Sequence, residues 1–158
     1  MQKMTEQYSK VKVTAGTYYI GDLCYVINDD VWDEVCNAMF PDGIHPKDGL
    51  IEVRGHQMIS FSTMWGDGMY YGHEYEFPVD AGLIGLISVD SLDENALGGK
   101  RDVETEIADF GAIVEFNEDF ECYSENGYLV FGHIGIDTSG DEEEEDDEYD
   151  DEYYYDEE

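Results

Sequence analysis

Six side chains of this sequence are of types that do chemistry when brought together. Asp22 and Cys24 flank the first glycine-marked turn, Asp67 and His73 sit around a tyrosine-rich stretch, and His133 and Asp137 stand on the last strand-like run. An Asp and His set can hold a divalent cation, and a Cys beside a His can act as nucleophile and base. No spacing ties the six together, and in a chain with 40 acidic residues some Asp–His proximity arises by chance. The sequence contains no phosphate-cradling glycine loop, nucleophile elbow or zinc-protease helix. Gly66-Asp67-Gly68 lacks the further acidic positions and closing Glu of a calcium loop. Cys24, Cys36 and Cys122 are an odd number without a CxxC pair, which reads as small buried hydrophobes in a reducing compartment. A small enzyme or ligand-binding domain with a site near Asp22, Cys24, His73 and His133 is thus the secondary reading, and no cofactor is expected.

Charge carries more information. Of 158 residues, 40 are acidic and 7 basic, a net charge of -33. Direct binding to nucleic acid or an anionic membrane is excluded on these grounds, because such affinity comes from Lys and Arg displacing counterions. The partner expected is a basic protein surface. Residues 141–158 hold 14 acidic residues of 18 and no basic one, leaving -19 on residues 1–140. Residues 1–28 carry +1, so the acid is concentrated beyond them. A body of this size has a diameter of roughly 35–40 Å, a length over which B-DNA presents on the order of 20 phosphates. The expected contact set is Glu74, Glu76, Glu115, Glu118, Asp119, Glu121 and Glu125 on the body, extended by Asp141, Glu142, Glu143, Glu144, Glu145, Asp146, Asp147 and Glu148. Tyr149, Tyr153, Tyr154 and Tyr155 favour binding over mere solvation, since aromatic rings add cation–π contacts to Arg. Salt adaptation of a structural protein is the competing explanation of the same composition.

The elements that position these residues read as short strands. Lys10–Thr14 alternates with period two, and glycine turns lead through Thr17–Ile20 to the apolar run Leu23–Ile27. Asn28-Asp29-Asp30 offers helix caps, with Asp33 and Glu34 in the first turn; Trp32, Val35, Cys36 and Met39 then form a helical stripe that closes before Pro41. Leu50–Arg54 and Gln57–Thr63 alternate across Gly55-His56. Met69, Tyr71, Tyr75, Phe77 and Val79 share one parity, as one buried strand face would. Leu83–Val89 is apolar on both parities and reads as a central, doubly covered strand. Val103, Thr105 and Ile107 alternate, Gly111–Phe116 and Phe120–Ser124 follow, and Asn126-Gly127 signals a type I′ hairpin with Tyr128–Ile136 returning. About nine strands and one amphipathic helix predict an α+β class fold, mainly antiparallel β, as a curved sheet or barrel-like meander over residues 1–140. A disordered acidic tail over 141–158 completes the expected organisation. No signal peptide or membrane span is read, and a cytoplasmic location is expected.

Gly21-Asp22-Leu23-Cys24-Tyr25, Trp32, Gly66–Tyr70, Val79–Gly85 and Phe131–Thr138 together resemble a family of small uncharacterised bacteriophage and bacterial proteins whose first motif is G-D-P-C-Y. The resemblance spans residues 14–138, with Leu23 in place of the proline. It implies a viral or mobile-element origin and transfers no catalytic residue. The function expected is a non-enzymatic acidic interaction protein, phage-encoded and acting in the host cytoplasm as a nucleic-acid mimic. Its target would be a nucleic-acid-binding protein of host defence or transcription.

Overall fold

The computed structural model describes residues 4–7, 10–92, 97 and 110–138. The strand expected around Val103–Ile107 and the acidic segment 141–158 lie outside the described residues. Twelve antiparallel strands, one α-helix and two short 3₁₀ helices make up the described elements. The class is α+β, mainly antiparallel β.

Two five-stranded sheets form the body. The first runs β1 (Met4–Gln7), β2 (Lys10–Val13), β10 (Phe120–Glu125), β11 (Tyr128–Phe131), β12 (Ile134–Asp137) across its width. The second runs β4 (Gly49–Val53), β5 (His56–Ser62), β8 (Leu83–Ser88), β3 (Gly16–Gly21), β9 (Gly111–Phe116). Strand alternation decides what lies between them. Val11, Val13, Cys122, Leu129, Phe131, Ile134 and Ile136 from the first sheet meet Tyr18, Ile20, Ile59, Phe61, Ile84, Leu86 and Val114 from the second. Each large apolar side chain buried there contributes about 1.5–3 kcal/mol.

The second sheet is covered on its other face as well. Met58, Leu83 and Ile87 point away from the first sheet into a second core with helix α1 (Asp29–Met39). This is why β8 is apolar on both parities: it is central in its sheet and wholly buried. The helix buries Val31, Val35 and Met39, one residue per turn, while Trp32 and Cys36 of the expected stripe are only half-buried. Its first-turn acids are Asp29 and Asp30 rather than Asp33 and Glu34, and Asn28 makes no side-chain cap. Glu34 instead bonds Arg54 at 2.6 and 2.9 Å, tying the helix to the β4–β5 turn.

Hairpin β6 (Gly68–Gly72) and β7 (Tyr75–Val79) stands apart as a two-stranded ribbon. β6 packs on β12 and β7 on β9, so the ribbon bridges the neighbouring edges of the two sheets without closing a barrel. Two further sequence expectations are corrected here. Leu23–Tyr25 is a 3₁₀ turn, not strand, because Asp22 captures the Cys24 amide and bends the chain. Tyr128–Ile136 is two strands, split at Gly132-His133, where Gly132 has φ 64° at the first central position of a tight turn. Asn126 and Gly127, with φ 51° and 84°, form the predicted hairpin.

Candidate functional site

The enzyme-like set does not assemble. Asp22 has no exposed surface. Its Oδ1 accepts the Cys24 amide at 3.0 Å, and its Oδ2 accepts the Asp80 and Ala81 amides, each at 2.7 Å. The carboxyl group thereby fastens the β7–β8 turn to the end of β3, a structural task that leaves no oxygen facing solvent. Cys24 is half-buried on the 3₁₀ turn. Burial pushes the Cys122 thiol well above its ordinary range and, aided by Asp33, raises that of Cys36. Neither is an activated nucleophile.

His73 and His133 do meet. The tight turns that carry them bring the rings edge to face with centroids 5.0 Å apart, and His133 lies 5.4 Å from the Phe116 ring. Among the described residues no group of three His, Cys, Asp or Glu side chains is placed to hold a metal ion. Asp67 is exposed in the β5–β6 connection, and Asp137 ends β12. A surface groove of about 410 Å³ opens elsewhere, at the β2–β10 end, lined among others by Lys12, Asp119 and Glu121. None of Asp22, Cys24, His73 and His133 lines it.

The acidic body set is spread over several surfaces. Glu115 shares the face of β9 that points away from the first sheet, whereas Glu121 and Glu125 lie on that sheet's outer face. Glu121 stands opposite Lys12 and 3.9 Å from Lys10, so its charge is locally compensated. Asp119 accepts the Ala15 amide at 2.9 Å in the β9–β10 turn, beside exposed Glu118. Glu74 occupies the β6–β7 turn and Glu76 the outward face of β7. Asp141 to Glu148 lie outside the described residues.

The chemistry missed in the sequence is aromatic. Trp65 (56 % exposed), Tyr71 (63 %), Met69 (48 %), Met64 (46 %) and Tyr128 (45 %) are large hydrophobic side chains open to solvent. The shared odd numbering of Met69, Tyr71, Phe77 and Val79 predicts that all of them face inside. The two-residue turn His73-Glu74 pairs Gly72 with Tyr75 and Tyr70 with Phe77, so odd positions face in on β7 and out on β6. Tyr70 goes inside, its hydroxyl donating to the Gly66 carbonyl at 2.9 Å.

Backbone contacts link the segments that carry these side chains, with Tyr71 on the ribbon face opposite the one that meets β12. The Met64 amide donates to Thr138 Oγ1 at 3.0 Å, and Thr138 is bonded in turn to the Gly127 carbonyl, next to Tyr128. The Tyr128 ring lies over Gly135 of β12, and the Gly135 carbonyl abuts Gly72, the neighbour of Tyr71. A Cβ at position 72 would run into the Gly135 carbonyl, so glycine there permits this approach of ribbon to sheet, whereas a Cβ at 135 would meet only the Tyr128 ring. Carboxylates flank the rings: Tyr128 pairs across strands with Glu125 on one side and Asp137 on the other, and Tyr71 pairs with Glu76. No Lys or Arg occurs in residues 55–99 or 102–158, from which this whole edge is built.

No helix among the described residues is long and apolar enough to cross a membrane. No family model matches this chain, and no curated protein or solved structure matches it significantly.

Proposed function

We propose that this protein is a non-enzymatic acidic binder of a basic protein surface, acting as a nucleic-acid mimic toward a nucleic-acid-binding protein. The observation that carries the reading is the charge: -33 overall, with 14 carboxylates in the last 18 residues. A surface of that sign attracts basic partners over a Debye length, speeds their encounter and repels polyanions. The confinement of all Lys and Arg to residues 3–54 and 100–101 supports it, since the remaining stretches present negative charge without internal neutralisation. In this proposal the target is a bacterial host protein of defence or transcription met in the cytoplasm, as the sequence resemblance of residues 14–138 implies.

Affinity capture from bacterial lysate tests this, using the full chain and a version ending at Gly140, each washed at low and high salt. The expected result is recovery of a nucleic-acid-binding protein that added DNA competes away and high salt strips off. Loss of recovery on truncation assigns the contact to 141–158. Absence of any salt-sensitive partner overturns the proposal and returns attention to the histidine pair.

A further inference from the structure

We infer that the edge formed by β6, β12 and β11 is a docking surface for an arginine-rich segment, with the Tyr71 and Tyr128 rings as stacking platforms and Glu76, Glu125 and Asp137 as the carboxylates that receive the guanidinium groups. The inference rests on the acidic-binder reading and specifies where on the body, and for which cation, that binding occurs.

The geometry suits guanidinium rather than ammonium. Side chains directly opposite on antiparallel strands have Cβ atoms roughly 4.5–5.5 Å apart. Tyr71–Glu76, Tyr128–Glu125 and Tyr128–Asp137 are three such pairs. Each places an aromatic ring and a carboxylate on directly opposed positions of one strand face, the two groups that a planar guanidinium engages when it stacks on one and donates two hydrogen bonds to the other. A lysine ammonium is a point charge that can meet the ring face or the carboxylate but cannot lie flat on the one while donating two parallel hydrogen bonds to the other. Met64, Met69 and Trp65 extend the surface with adaptable apolar area suited to the arginine methylenes.

Two features select this occupant over a second copy of the chain. Apposing two copies would bring together surfaces built from stretches without one Lys or Arg, each copy carrying -33. Moreover, Thr138, held against Met64 and Gly127, stands three residues before Asp141 in sequence, the first of 14 carboxylates in residues 141–158.

Fluorescence anisotropy of labelled oligo-arginine and oligo-lysine peptides of equal length, titrated with the full-length protein at low salt, tests the inference. The expected result is tighter binding of oligo-arginine. The double variant Tyr71→Ala/Tyr128→Ala is expected to weaken oligo-arginine about tenfold and oligo-lysine about twofold or less. Tyr71→Phe/Tyr128→Phe, which keeps both rings, restores the arginine preference, and Asp33→Asn on the exposed side of helix α1 leaves it unchanged. Circular dichroism and melting confirm that each variant folds. If both peptides bind equally and the ring-deleted variant matches wild type, the docking surface is wrong while the acidic-binder reading stands. If neither peptide binds, both fall. A dimer in sedimentation that Tyr71→Ala/Tyr128→Ala dissociates would overturn the arginine assignment in favour of self-association.

Discussion

Asp22 is the residue whose chemistry and burial are most at odds, and its hydrogen bonds resolve the conflict. Three amides converge on one carboxyl group, from Cys24 at one end and from Asp80 and Ala81 at the other. With a net value near 1 kcal/mol per bond, Asp22→Ala is expected to cost about 2–4 kcal/mol in urea unfolding. The same change should leave oligo-arginine binding unaltered, because Asp22 reaches no surface. Unchanged stability would mean that the β7–β8 turn is held by something else. Asp42 offers the contrasting exposed case. The His45 amide, then its ring, then the Ile44 amide hold this carboxyl down at about 2. A folded value below the unfolded one near 3.9 stabilises above that unfolded value. The contribution is lost as pH falls toward about 2. Because Asp42 is exposed, solvent screening keeps the effect on global stability small. The sensitive measurement is its carboxyl carbon shift by NMR, where a midpoint near 4 instead of about 2 would contradict the hydrogen-bonded loop.

At the scale of elements, the β6–β7 hairpin is built against local preference. His73 and Glu74 occupy the two central turn positions with φ 48° and 72°, where Asn-Gly is the usual solution. The left-handed region costs an L-residue roughly 1–2 kcal/mol. Glu74→Gly is therefore expected to stabilise the protein by about 0.5–1 kcal/mol in denaturant unfolding, less than the strain relieved because glycine also gains freedom in the unfolded chain. A loss of stability would show that the Glu74 side chain compensates its backbone. The same turn explains what the sequence concealed. The doubly apolar β8, the Asn126-Gly127 hairpin, the alternating β2 and the helix were legible because their patterns are local: two covered faces, a positive-φ dipeptide, one stripe. The outward turning of Met69 and Tyr71 was not, because face assignment across a hairpin depends on loop length, and His73-Glu74 carries no turn signature. The half-burial of Trp32 and the burial of Asp22 likewise depend on packing partners distant in sequence. The candidate surface was legible only in its carboxylates Glu76 and Glu125. Of its rings, Tyr71 reads in the sequence as part of a buried face, and Tyr128 reads only as the first residue of a return strand.

For the whole molecule, a charge of -33 acts on folding and on binding with opposite signs of salt dependence. Self-repulsion among carboxylates opposes the compact state, and raising ionic strength from about 0.01 to 0.15 M shortens the Debye length from about 30 to about 8 Å. The melting temperature should rise over that range, each kcal/mol of repulsion relieved adding about 2–4 °C for a chain of this size. Association with a basic partner should weaken over the same range, because the attraction that steers it is screened. The two curves separate the binder from a protein adapted to high salt. Pure screening is nearly complete by about 1 M, where the Debye length is about 3 Å, so the melting temperature of the binder levels off in NaCl. A continuing rise through molar salt, with oligo-arginine affinity absent at low salt, would instead identify the acid as a coat suited to concentrated cations. In that case the aromatic edge would have no charged partner to select.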